Sequence, residues 1–370
     1  MRILVITPDP ATHGPIPKHA PYLISGLRDL GADVRVAYWG RHFDGEALAA
    51  KLAERPRDLV RVARQARQMR PDVIVLKTSH EWRTLIRDLP LLACLRRYAK
   101  TLVVQYHGSQ PEALAPDGPA AFRMATRAVL RIVDGVLLLC TEELSGFSQF
   151  SQDALYHIVA NPFVTKPSVG DDDAILRQVK AKRASGKFVV LFVGRIIRSK
   201  GIFDLLVAVA ALQSTVGVHL VVAGEGKRLA DLAATVRDLD LAEAVTICGY
   251  RYGFELGELY RAADAFCLPT YWGEGFPTVI AEAMSARLPV VTTQIRGAAD
   301  YLLAEQNALF VAPKDPLAIA AAVLRLQGDP ALCRRMGDAN EQEVSRFAPE
   351  KVARQYLDAL TSIAVCRSKS

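Results

Sequence analysis

Short apolar runs recur along the chain, separated by longer stretches with helical spacing. A first series comprises Ile3–Thr7, Val34–Ala37, Val73–Leu76, Leu102–Gln105, Gly135–Leu139 and Leu155–Val159. The runs are mostly unbroken Val, Ile and Leu, as in strands buried on both faces of a parallel sheet. Between them, positions such as Leu59, Val62, Ala63 and Ala66 mark one apolar helix face. Residues 160–187 break the rhythm with Pro162, Pro167, Gly170 and three consecutive Asp. They read as a connection carrying a short helix about Ala174–Lys182. A second series follows: Phe188–Val193, Val218–Ala223, Val245–Cys248, Ala265–Leu268, Val290–Thr292 and Leu309–Val311, closed by a helical stretch Pro349–Ile363. The pattern predicts an α/β chain of two doubly wound domains, with ligands at the C-terminal ends of the strands. The expected divisions are 1–165, 166–348 and a C-terminal helix, 349–370, packing back toward the first domain.

Composition narrows the class. With 370 residues, 51% hydrophobic and 23% charged, the chain is neither disordered, coiled-coil nor collagen-like. Its net charge of +7 favours anionic ligands or surfaces. Residues 55–100 alone hold twelve basic and four acidic residues. Arg57, Arg61, Arg64 and Arg67 fall on one helical side, which suggests an anionic membrane surface as a partner of the span Arg57–Arg70. Aromatic interleaving is sparse, so nucleic acid is not expected. The six cysteines form no CxxC pair and lack metal-ligand spacing. Cys140, Cys248 and Cys267 read as small buried hydrophobes, which suits a reducing, cytoplasmic setting. Leu205–Gly224 lacks charges over twenty residues, but Gln213, Ser214, Thr215, Gly217 and His219 interrupt it. A buried helix, a turn and a strand are expected there rather than a membrane span.

Two segments carry candidate chemistry. In Tyr271–Val291, a strand leads through WGEGF to Pro277, which suits the first turn of a helix, and onward to Glu282. A strand, a Gly-rich loop and a helix N-terminus present backbone N–H groups to an anion. Glu274 and Glu282 have seven residues between them, and carboxylates are natural acceptors for vicinal sugar hydroxyls. In Phe188–Leu206, an apolar strand ends at Gly194-Arg195 and a helix begins near Lys200-Gly201. Two cations at one strand-to-helix crossing suit a diphosphate.

Together with LVVAGEGKRL and EGFPTVIAEAM…LPVV, these segments resemble the retaining nucleotide-sugar glycosyltransferases of the GT-B fold, in particular the group 1 family with its E-x7-E motif. The likeness is strong over about 185–350. It implies two Rossmann-like domains facing a cleft, an acceptor-side domain followed by a donor domain. It also implies metal-independent hexosyl transfer from a nucleoside diphosphate sugar, with no cofactor beyond that substrate. Arg195 and Lys200 would hold the diphosphate beside Gly194. Glu274 would contact the sugar ring, and Gly275, Phe276 and Pro277 would meet its hydroxyls through their backbone. Glu282 would accept from the ribose, and His107 would face the sugar. His13, Gly14 and Lys18 would lie on the acceptor side. The acceptor would be a glycan or lipid-linked glycan, with peripheral membrane attachment.

The chain departs from the family pattern at several points. Arg287 stands where a Gly is usual, and RGAAD, residues 296–300, replaces a GGxxE-like segment. The first loop is THGPIPK, and Asn161-Pro162 replaces an Asn-Gly pair. The donor half is thus the better matched. A non-catalytic nucleotide-sugar-binding protein, or a GT-B epimerase or phosphorylase, is the alternative. Gly224-Glu225-Gly226 lacks the third Gly of a dinucleotide fingerprint, and Asp171–Asp173 reads as a solvated linker rather than a metal motif.

Overall fold

The computed structural model describes residues 1–370 except 13, 41–47, 165–169, 171, 214–216, 272, 274 and 369–370. The chain divides into two compact units. One comprises Met1–Val164, Glu274–Phe276 and Arg346–Ser370, and the other Thr165–Gly273 and Pro277–Ser345.

The first unit holds a sheet of β1 (Arg2–Thr7), β2 (Asp33–Tyr38), β3 (Val73–Thr78), β4 (Thr101–Tyr106), β5 (Gly135–Leu138) and β6 (Leu155–Ile158), in the order β2-β1-β3-β4-β5-β6. Every pairing is parallel. The second unit repeats the plan with β7 (Phe188–Val193), β8 (Val218–Ala223), β9 (Val245–Gly249), β10 (Ala265–Leu268), β11 (Val290–Thr293) and β12 (Ala308–Val311), in the order β12-β11-β10-β7-β8-β9. All its pairings are parallel as well. Strands β3, β4, β8 and β10 are buried along their whole length, which accounts for their unbroken apolar runs. Order reverses between β1 and β3 in one sheet and between β7 and β10 in the other. Chains leave such neighbours in opposite directions, so a crevice opens at the strand ends.

The connection carries the helix Ala174–Ala184. Asp173 caps it by accepting from the Leu176 N–H at 2.7 Å and also pairs with Arg251 at 2.6 Å. Asp172 pairs with Lys180 at 2.8 Å. Both carboxylates are therefore committed to structure. Leu205–Gly224 folds as the end of the helix Ile202–Leu212 followed by β8, and no described helix is long and apolar enough to cross a membrane.

The last helix, Pro349–Ser368, packs on the first unit. Val352, Ala353, Tyr356, Leu360 and Ile363 form its buried stripe. The helix is seated on glycines. A Cβ on Gly26 would lie 2.8 Å from the Ala353 Cβ, and one on Gly135 would lie 2.5 Å from the Ile363 Cδ1. Beneath it sits Lys77 on β3, only 2% exposed. Its ammonium donates to Gln105 Oε1, which also receives the Tyr356 hydroxyl at 3.1 Å, and it lies 5.4 Å from the Tyr356 ring centroid. No carboxylate lies within ion-pair distance of it among the described residues, and burial pulls its pKa down to about 7.

An unfolded lysine titrates near 10.5. Between pH 7 and that value the unfolded chain binds the extra proton, so stability rises with pH across this window. Below pH 7 both states are protonated, and the cost of burying the charge is present in full. Lys77→Met should therefore raise Tm at pH 7, and its advantage over the wild type should shrink toward pH 10. Melting curves at several pH values check this, and a destabilised mutant or a pH-independent difference would contradict it.

Candidate donor site and the strand ends of the first unit

In the second unit, two loops meet at the β7/β10 reversal. The loop after β7 carries Gly194, Arg195 and a 3-10 turn, Arg198–Lys200, before the helix Ile202–Leu212. Arg195 is exposed, and its guanidinium makes no hydrogen bond or ion pair among the described residues. Lys200 is only 4% exposed. Gly201 takes φ 74°, and a Cβ there would lie 2.1 Å from the Pro269 carbonyl oxygen. This residue therefore has to be glycine for the loop to close on the β10 loop. The Ser199 carbonyl joins the two loops by accepting from Tyr271 N–H at 2.9 Å and Thr270 Oγ1 at 3.1 Å.

Gly224-Glu225-Gly226 serves this same framework. The Gly224 N–H donates to Gly249, and the Ile196 N–H donates to the Glu225 carbonyl at 2.8 Å. A Cβ on Gly224 would lie 1.9 Å from the Gly194 carbonyl oxygen. The glycines thus allow backbone to pack on backbone, a different use from a dinucleotide fingerprint.

The helix after the β10 loop begins at Thr278, so Pro277 is its N-cap rather than part of its first turn. The extended ψ of 123° at Pro277 accounts for the difference. Glu282 is half-buried and accepts from the Tyr260 hydroxyl at 2.8 Å. Burial and this carboxylate raise the Tyr260 pKa. Tyr260 was not evident as a site residue, because only the packing of its helix, Gly253–Ala262, brings it to Glu282. Glu274 lies outside the described residues. Arg287 and Arg296, which stand in the glycine positions of the family pattern, keep glycine-like backbone at φ 59° and 46°.

In the first unit, the β4 end is tightly fixed. The His107 N–H donates to the Thr78 carbonyl, Gly108 takes φ 89° and accepts from the His80 N–H, and Ser109 N–H donates to Glu143 Oε1. Glu143, fully buried, also accepts from the Leu139 N–H at 2.9 Å. Sequence pattern alone gave no signal for this carboxylate, because it starts an ordinary-looking amphipathic helix. Both ring nitrogens of His107 are buried without a well-formed hydrogen bond. Burial, then Lys77 and His19, lowers its pKa, while nearby Asn161 opposes them. His107 is therefore a neutral imidazole. Asn161 Oδ1 and Thr7 Oγ1 are also buried without partners among the described residues. His19, also neutral, has its pKa lowered to about 4 by burial and Lys77. Gly14 precedes the helix Pro15–Asp29 and Lys18 is exposed on it, whereas His13 lies outside the described residues. Gly275 and Phe276 group with this unit, where Phe276 stacks on Phe347 at 4.8 Å.

Residues 175–343 match the family described as glycosyl transferases group 1. This matched segment, a little under half of the chain, is similar to that family. It is 28% identical to a glycogen synthase of Mycobacterium tuberculosis over 283 residues, which is 75% of this chain and 66% of that protein. It is 30% identical to the lipopolysaccharide core biosynthesis glycosyltransferase LpsD of Rhizobium meliloti over 175 residues, 46% of this chain and 48% of that protein. The crystal structure of Anabaena HepE in complex with UDP-glucose superposes with a TM-score of 0.73 at 20% identity, covering 98% of this chain and all of that one. The fold is accordingly GT-B, with two Rossmann-like domains.

Proposed function

We propose that the chain is a retaining glycosyltransferase that moves a hexose-type sugar from a nucleoside diphosphate donor to a hydroxyl of a glycan or lipid-linked glycan. The observation carrying this reading is the placement of Arg195 and the nearly buried Lys200 on one short loop at the β7/β10 reversal, directly before a helix. Two cations beside a helix N-terminus can offset a diphosphate's charge without a metal ion. HepE, of the same fold, holds UDP-glucose, and LpsD acts in lipopolysaccharide core biosynthesis, which supports a nucleotide-sugar donor and a glycan acceptor.

In this reading Arg195 and Lys200 bind the diphosphate and stabilise the charge that grows as it leaves. Glu282, oriented by Tyr260, accepts from the ribose hydroxyls. The backbone of Gly275, Phe276 and Pro277 meets the sugar hydroxyls, and His107, as the family resemblance implies, hydrogen-bonds the sugar. The acceptor hydroxyl forms its bond to the anomeric carbon on the face from which the diphosphate oxygen departs, and that oxygen takes the hydroxyl proton. Gly14, Lys18 and His13 are the acceptor-side residues.

The basic helix supports peripheral attachment to the inner membrane face. Arg57, Arg61, Arg64 and Arg67 are all exposed on it, and Val60 is 54% exposed among them. Arg57 pairs with Glu54 and Arg61 with Asp58, whereas Arg64 and Arg67 make no ion pair among the described residues. At about 1 kcal/mol per basic residue near the surface, such a face gives reversible binding. The chain should sediment with phosphatidylglycerol vesicles at low salt and be released at high salt. Failure to sediment, or sedimentation unchanged in Arg61→Glu/Arg64→Glu, would remove this partner.

The two carboxylates should separate kinetically. Ribose contacts are nearly equal in ground and transition states, so Glu282→Gln should mainly raise the donor KM. Glu274 would stand where positive charge develops, so Glu274→Gln should mainly lower kcat. Lys200→Ala should weaken nucleoside diphosphate binding by about 1.5–3 kcal/mol. Steady-state kinetics and calorimetry check all three, and full activity in both glutamine variants would overturn the roles.

A further inference from the structure

Arg296 opens the six-residue helix Arg296–Tyr301 after β11. It is 7% exposed and stands at φ 46°, in the left-handed region. Side chains with a Cβ are disfavoured there, and glycine is the residue that suits it. Burying a guanidinium adds a desolvation cost. Two unfavourable features at one residue mean that its surroundings over-determine it, and such residues gather where a functional segment must be held in place.

The surroundings show which segment is held. A Cβ built on Gly273, in the loop after β10, would lie 2.3 Å from Arg296 Cζ, 2.5 Å from Nε and 2.6 Å from Nη2. The guanidinium therefore lies directly against the Gly273 Cα, so a methyl group there would have to displace it. β10 and β11 are neighbours, and Thr293 Oγ1 donates to the Thr270 carbonyl, tying the same two strand ends together. Arg287 makes the contrast. It is also left-handed, but it is exposed and pairs with Asp338 and Glu341 at the surface. Arg296 differs from it in being buried against the β10 loop.

We propose that Arg296 is a positioning residue for the loop after β10, its guanidinium forming the seat for Gly273. The inference rests on the donor reading above for its catalytic consequence, but the seat itself does not depend on it. Arg296→Gly suits the backbone and removes the guanidinium, so the fold should be retained, with Tm unchanged or higher. Hydrogen–deuterium exchange on the full chain should then be about tenfold faster over 269–277 and unchanged elsewhere, with Arg296→Lys intermediate. Gly273→Ala, which drives a methyl group into the seat, should reproduce the effect. Wild-type exchange over 269–277 in both Arg296→Gly and Gly273→Ala would overturn the proposal, whatever the donor. With a donor that the wild type turns over, Arg296→Gly should lower kcat about tenfold or more while nucleoside diphosphate affinity stays within about twofold. An unchanged kcat would equally overturn it. Faster exchange in a chain that turns over no nucleotide sugar would leave the seat standing and instead count against the donor reading.

Discussion

The carbonyl oxygen of Ser199 joins the two loops at the strand-order reversal of the second unit. It accepts from Thr270 and Tyr271, so the loop after β7 and the loop after β10 share one joint at the reversal of strand order. Parallel sheets satisfy their own backbone groups, but their C-terminal ends leave polar backbone that must find partners in loops. Here the loops satisfy one another. Gly201 and Gly224 let backbone approach Pro269 and Gly194 more closely than any side chain would permit. The arrangement puts Lys200 in a nearly buried position and Arg195 at the surface of the same turn. A rigid, charged, glycine-lined crevice of this kind is suited to an anionic ligand before any ligand arrives.

The first unit uses buried polar groups differently. Lys77, Gln105 and Tyr356 form a small network under the last helix, and burial, with Lys77 second, keeps His107 and His19 neutral. That network ties the chain's final helix to the edge of the sheet where His107, Asn161 and Thr7 present uncommitted polar atoms. A neutral histidine in such a setting can orient a hydroxyl by hydrogen bonding but brings no charge of its own.

The strands were legible because burial on both faces leaves little but Val, Ile and Leu. All twelve runs read from the sequence become strands, with ends shifted by a residue or two where Arg2, Tyr38 or Thr78 extend the pairing. Arg195 and Lys200 drew attention as charges at a strand-to-helix crossing, and Glu282 through its spacing from Glu274. Lys77 was not, since VIVLK reads as a strand reaching solvent, and only the last helix buries it. Glu143, Tyr260 and Arg296 were hidden for the same reason. Each acts through a partner distant in sequence: the Ser109 and Leu139 amides, Glu282 and Gly273. Local pattern carries no information about such pairings.

The central claim is that this site performs metal-free transfer with retention of configuration. Proton NMR of the product, formed from an α-linked nucleoside diphosphate sugar in excess EDTA, tests it most directly. Transfer should persist in EDTA, and the product's anomeric coupling should match the α configuration of the donor. A β-linked product, or transfer that stops in EDTA and returns with Mg²⁺ or Mn²⁺, would contradict it.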